Sequence, residues 1–229
     1  MKKLIPIALI ALTILPGCST WTKTANGTAI GSGAGAALGA AIGALISKDA
    51  KGAAIGAAIG TAVGAGTGAI IGNQMDKKAE ELAALENANV ETVTDQNGLT
   101  AIKVTFDSGI LSPTNGTKLN KSSQAELKEF ATKMSDFTET DITIYGHTDN
   151  TGSAEVNERI SQQRADAVQD YLKACGIAAD RMVSQGLSYT MPDADNATKE
   201  GRAANRRVEI YISANEDMIK AAEAQAEKK

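Results

Sequence analysis

Eleven glycines of this chain fall at intervals of four, at 27, 31, 35, 39 and 43 and again at 52, 56, 60, 64, 68 and 72. A flexible linker has no reason to keep such a period. A helix does, because residues four apart share one face, and glycines on that face leave a smooth groove for a second helix. Interleaved Leu38, Ile42, Ile46, Ile55, Ile59, Val63 and Ile70 make both runs apolar, each near the length that crosses a bilayer. The polar stretch Ser47 to Lys51 fits a turn between them, so 27–72 is expected to form a glycine-zipper helical hairpin. Glycine costs a water-exposed helix about 1 kcal/mol per residue relative to alanine, so such a hairpin needs lipid or a close partner helix, which offers a route to self-association. The competing reading is a disordered low-complexity spacer. Gly31, Gly33, Ala36 and Gly64, Gly66, Ala69 mimic a dinucleotide-binding fingerprint, but no strand precedes either string, and glycine density alone produces them.

The chain opens with Met1, Lys2 and Lys3, then an apolar run from Leu4 to Leu15 too short to span a bilayer, then Gly17 before Cys18. That order is a secretory signal peptide over 1–17. Leu15-Pro16-Gly17-Cys18 resembles a lipobox, although Pro16 is unusual in one. The resemblance implies a diacylglycerol on the Cys18 thiol, cleavage before it and an acylated new amino terminus; two or more acyl chains anchor stably. An ordinary signal peptide with a chance cysteine is the alternative. By resemblance to lipoprotein sorting rules, Ser19 favours the outer membrane, with 18–26 as the lipidated tether and the globular part in the periplasm.

The remainder has ordinary globular content. Asp76 to Asn87 reads as a short amphipathic helix, giving a linker helix over 73–89. Val90 to Thr94 and Leu99 to Phe106 flank an Asn97-Gly98 turn as a hairpin. A helix over Leu119 to Phe137, a strand over Ile142 to Tyr145, a helix over Val156 to Cys175, a strand over Met182 to Gly186 and an alternating strand over Arg207 to Ile212 complete the order. The expected class is α+β, a β-α-β-α-β-β sandwich of helices on a mixed sheet over 90–213. The charged tail, 214–229, reads as a solvated helix.

A formal net charge of −4 argues against nucleic acid as a partner. His147 is the single histidine, so no His-His metal site and no Ser-His-Asp relay forms without it; it reads as a hydrogen-bonded residue at a strand end, and Cys175 as a small core residue. No metal, no cofactor and no catalysis are expected. The polar loop after Tyr145 is a better place for a site, because loops at strand ends are where sites are built. Arg164 lies four residues from both Ile160 and Val168, inside the apolar stripe of its helix, where a charge needs an anion; Asp149 is the nearest candidate holder.

Three ordered motifs carry a specific resemblance: His147-Thr148-Asp149-Asn150-Thr151-Gly152, then Asn157, Arg159, Ser161 and Arg164-Ala165, then Gly201-Arg202-Ala203-Ala204-Asn205-Arg206-Arg207-Val208-Glu209. They resemble the OmpA-like C-terminal domain family, and with the lipobox and zipper the whole chain is similar to YiaD-type glycine-zipper outer-membrane lipoproteins. The resemblance implies non-covalent binding of peptidoglycan through meso-diaminopimelate. Asp149 and Arg164 would engage it, Thr148 and Asn157 would add hydrogen bonds, and Arg206 would assist with a carboxylate. A carboxylate for the ligand's ammonium and a planar arginine fork for its carboxylate suit that zwitterion. A plain Asp149–Arg164 salt bridge tying loop to helix is the bland alternative. The implied function is an outer-membrane lipoprotein tethering that membrane to the wall. The alternative is a membrane-active zipper oligomer that uses the wall-binding domain only as an anchor.

Overall fold

The computed structural model describes residues 64–95, 97–106 and 116–228. Cys18, the first zipper run and the second as far as Val63 lie outside the described residues. Five strands form one sheet: β1 (Ala88–Thr94), β2 (Thr100–Phe106), β3 (Thr140–Gly146), β4 (Met182–Gly186) and β5 (Val208–Ala214), in the order β1-β2-β5-β3-β4. All neighbours are antiparallel except β3 and β4. The helices are α1 (Ala65–Leu82), α2 (Lys121–Lys133), α3 (Ala154–Ala174), α4 (Lys199–Asn205) and α5 (Glu216–Ala226). A parallel pair needs a crossover rather than a hairpin, and α3 supplies it. The expected mixed α+β sandwich is therefore the fold.

Alternation along the strands decides which face is buried. Ile102, Val104 and Phe106 of β2, Ile142 and Ile144 of β3, and Val208, Ile210 and Ile212 of β5 join one apolar cluster with Leu127 and Phe130 of α2 and Val168 and Leu172 of α3. The starts of α2, α3, α4 and α5 are fixed by side-chain caps of the residue types that favour this position. Asn120 accepts from Ser123 N, Ser153 from Val156 N, Thr198 from Gly201 N and Asn215 from Asp217 N and Met218 N.

Three features differ from the sequence expectation. Helix α1 runs straight through the boundary expected at Gly72 and is part of the domain: Ile71, Met75 and Leu82 are fully buried in the main cluster. Its glycines Gly68 and Gly72 face β2 and the turn before it, since a Cβ on Gly68 would lie 4.0 Å from Leu99 Cδ2 and one on Gly72 3.3 Å from Thr100 Oγ1. Second, the tail does not lie in solvent as a whole. Met218, Ile219 and Ala222 of α5 are buried, and α5 packs against α1. Apolar residues at these positions line one face of a short helix, which the surrounding charges mask in the sequence. Third, α4 forms where the sequence gives no helical signal; its seven residues hold too few apolar positions to show a helical period.

Candidate binding site

At the end of β3 the chain is clasped from two sides. His147 N donates to Arg207 O at 3.0 Å, Thr148 N to Ser188 O at 2.9 Å, and Leu187 N to Gly146 O at 2.9 Å. Ser188 takes the left-handed conformation, φ 54°, which a serine adopts only where its surroundings hold it. Its N–H donates to Ser161 Oγ at 2.9 Å, so the loop after β4 is pinned to α3. Ser188 and Ser161 are supports that residue type alone did not mark.

Helix α3 can come this close because Gly146 and Gly186, paired across β3 and β4, carry no side chain. A Cβ on Gly146 would collide with the Ser161 carbonyl, and one on Gly186 with the Gln162 backbone. The same approach lets Gly186 N donate to Gln162 Oε1 at 2.8 Å and Gln169 Nε2 to Met182 O at 2.9 Å, which satisfies main-chain groups of β4. Arg164, one turn along α3, is thereby delivered to the end of β3.

The five predicted site residues come together here, with pairings that differ from expectation. Arg164 is 3% exposed, yet its guanidinium is held by carbonyls: Nη1 donates to His147 O at 2.8 Å and Nε to Gly116 O at 3.3 Å. Asp149 pairs instead with Arg206, whose Nη1 lies 2.6 Å from Oδ2. The other carboxylate oxygen accepts from Thr151 N at 2.9 Å and from the Thr151 hydroxyl. Asn157 Nδ2 donates to Thr151 O at 2.9 Å and so braces the loop rather than projecting free. Thr148 Oγ1 is buried without a hydrogen-bond partner. The bland Asp149–Arg164 salt bridge is thus absent among the described residues, because Arg206, arriving from the end of α4, occupies Asp149 first.

Electrostatics follow from this geometry. Burial and the neighbouring Arg206 charge push the Arg164 pKa down to about 10, opposed by Asp149, so it is still a cation at neutral pH. Burial alone would raise the Asp149 carboxyl, but the Thr151 hydrogen bonds and Arg206 outweigh it and hold the group below its ordinary range. The result is one carboxylate paired with one guanidinium, a second guanidinium held by carbonyls, and a buried hydroxyl lacking a partner. His147 contributes its backbone; its ring is buried with Nε2 3.4 Å from Glu209 Oε2, long for a hydrogen bond. Among the described residues no cluster of three or more histidine, cysteine or acidic side chains could hold a metal. No helix among them is long and apolar enough to cross a membrane.

Comparison with known proteins places both parts of the sequence among known families. Residues 113–206 match the OmpA family, and residues 1–76 match the YMGG-like Gly-zipper family. The peptidoglycan-binding protein ArfA of Mycobacterium tuberculosis is 44% identical over 99 residues, 43% of this chain and 30% of that protein. The probable lipoprotein YiaD of Escherichia coli is 40% identical over 110 residues, 48% of each chain. The matched region spans less than half the length of these curated relatives. The solved cell wall anchor of the type VI secretion system from Pseudomonas aeruginosa superposes with a TM-score of 0.52 at 28% identity, over 62% of this chain and 97% of that one. The chain thus resembles OmpA-family proteins over residues 113–206 and YMGG-like Gly-zipper proteins over residues 1–76.

Proposed function

We propose that this chain is an outer-membrane lipoprotein that holds peptidoglycan non-covalently through meso-diaminopimelate and so tethers the outer membrane to the wall, without catalysis. The observation that carries the reading is Arg164: a guanidinium 3% exposed that, among the described residues, has carbonyl partners but no carboxylate. A buried cation so placed has no carboxylate in contact to offset its desolvation, and a ligand carboxylate supplies one in a two-bond fork. Asp149 then takes the ligand's ammonium, sharing it with or releasing Arg206. Thr148 offers its unpartnered hydroxyl, and Asn157 keeps the loop in place by holding Thr151 O. Uncrosslinked diaminopimelate presents an ammonium and a carboxylate on one carbon, which is the combination this triad fits.

Lipid on Cys18 and contact between zipper helices complete the proposal. The first rests on the basic start, apolar run and lipobox-like ending, the second on the four-residue glycine period and the zipper match. Full-length protein in detergent should sediment with purified sacculi that contain diaminopimelate and stay in the supernatant with sacculi that carry lysine at that position. Equal sedimentation with both kinds of sacculi would remove diaminopimelate as the recognised group.

A further inference from the structure

Behind the site, on the sheet face opposite the helical core, lies a buried acid that wall binding as described above does not use. Val208, Ile210 and Ile212 of β5 face the apolar cluster, so Glu209 and Tyr211 face away from it. Glu209 is 4% exposed. Its Oε1 accepts from Arg207 Nε at 2.8 Å and lies 3.1 Å from Lys103 Nζ. Its Oε2 accepts from Tyr211 Oη at 3.1 Å and lies 3.4 Å from His147 Nε2. One carboxylate therefore gathers groups from β2, from the residue that follows β3 and from β5. A buried carboxylate with two cations is costly to disrupt, because removing the anion leaves like charges facing each other out of water.

Two of those partners are main-chain neighbours of the site. His147 accepts Arg164 Nη1 on its carbonyl at 2.8 Å and immediately precedes Thr148 and Asp149. Arg207 accepts the His147 N–H on its carbonyl at 3.0 Å and immediately follows Arg206, which reaches Asp149. Arg206 is thus one peptide unit from Arg207, Asp149 lies two residues from His147 and Arg164 bonds the His147 carbonyl, while Glu209 contacts both His147 and Arg207. The site side chains make no contact with Glu209 itself in the hydrogen bonds and ion pairs described, so any influence passes through these two backbones.

We propose that Glu209 is a positioning residue for the wall-binding site: by fixing His147 and Arg207 from behind the sheet, it sets the spacing between Arg164 and the Asp149–Arg206 pair. This rests on the wall-binding reading above. A fork that grips a carboxylate tolerates little displacement, so loosening the two backbones weakens binding without removing any ligand contact.

The test uses the full-length chain in detergent and the soluble tripeptide L-alanyl-γ-D-glutamyl-meso-diaminopimelate, titrated by calorimetry. Glu209→Gln keeps the shape and removes the charge; with the fork displaced, affinity should fall about tenfold. The control is Ile142→Val, a core change on β3 away from the site, with ligand affinity measured at a temperature where both variants are fully folded. Arginine side-chain NMR supplies a readout that a merely structural role would not move: the Arg164 Nε resonance should shift in Glu209→Gln and stay in place in the control. If Glu209→Gln does not fold, Glu209→Asp decides, since it keeps the counter-charge but withdraws it by one methylene, and affinity should fall about threefold. Affinity equal to that of the parent in the folded variant, or an unmoved Arg164 resonance, overturns the proposal. Arg164→Ala separates the two levels. If it binds like the parent, the wall-binding reading itself fails; if it abolishes binding while Glu209→Gln does not weaken it, only the positioning role fails.

Discussion

Arg164 shows how far a single residue is legible. Its burial is written in the sequence, because it falls on the same helical stripe as Ile160 and Val168. Its partner is not, because the pairing depends on where the chain returns after α4, and local periodicity carries no information about that. Arg206 therefore held Asp149 in the structure where spacing pointed to Arg164. Replacing Arg206 with alanine should raise the Asp149 pKa towards its ordinary value, since one of the groups holding it down is removed. Side-chain NMR titration of Asp149 reads this directly, and an unchanged midpoint would mean that the Thr151 hydrogen bonds alone set it. His147 supplies a second prediction at this scale. Burial lowers its pKa, with Arg207 and Lys103 adding to the effect and Glu209 opposing it. The unfolded chain then takes up a proton below about pH 6.5 that the folded chain refuses, so stability falls as pH drops from 7 towards 5. His147→Gln should show a smaller fall in melting temperature over that range than the parent; an equal fall would assign the acid sensitivity to other groups.

At the scale of elements, the helix-strand order was legible because strands alternate at period two and helices at 3.6, and β2, β3, α3 and β5 show those periods plainly. Close approach between elements was not, since it depends on pairs of glycines that meet only in space. Gly146 and Gly186 are such a pair, and each substitution by alanine should destabilise the domain by about 1–3 kcal/mol or more through overpacking against α3. Urea unfolding measures this, and peptidoglycan binding should weaken in step because α3 carries Arg164. A neutral Gly146→Ala would show that α3 can shift freely. The C-terminal helix makes the complementary case. Its sequence is dominated by charge and alanine, yet Met218 is 1% exposed, so Met218→Ala should cost about 2–5 kcal/mol. A loss under about 0.5 kcal/mol, the size of an ordinary surface change, would return α5 to the solvated tail that its composition describes.

For the whole molecule, α1 is the element that joins the parts. It begins within the glycine repeat, ends at Leu82 and buries Ile71 and Met75 in the domain core, so the last glycines of the repeat run into the domain through a packed helix. Lys78, 6% exposed, fastens it further by donating to Asp136 Oδ1 and to Lys133 O, both at 3.0 Å. The proposed lipid anchor lies at the far end of the chain from the binding site, which divides the tether into separable tasks. Cys18→Ser should leave the affinity for peptidoglycan unchanged and release the protein from the outer-membrane fraction. Mass spectrometry of the membrane-bound parent should find the acylated cysteine at its amino terminus; an unmodified Cys18 there would remove the anchor from the account.

The central claim is that the Asp149, Arg164 and Arg206 triad recognises diaminopimelate. The most direct measurement is titration of the full-length protein in detergent with L-alanyl-γ-D-glutamyl-meso-diaminopimelate, following amide resonances and repeating it with Asp149→Asn and Arg164→Ala, each checked for folding by circular dichroism. The parent should bind with shifts centred on Thr148, Asp149, Asn157, Arg164 and Arg206, and each folded variant should lose affinity by about tenfold or more, as expected when a charge-assisted contact is removed. Parent-like affinity in both folded variants, or shifts that map to another face of the sheet, would contradict the claim.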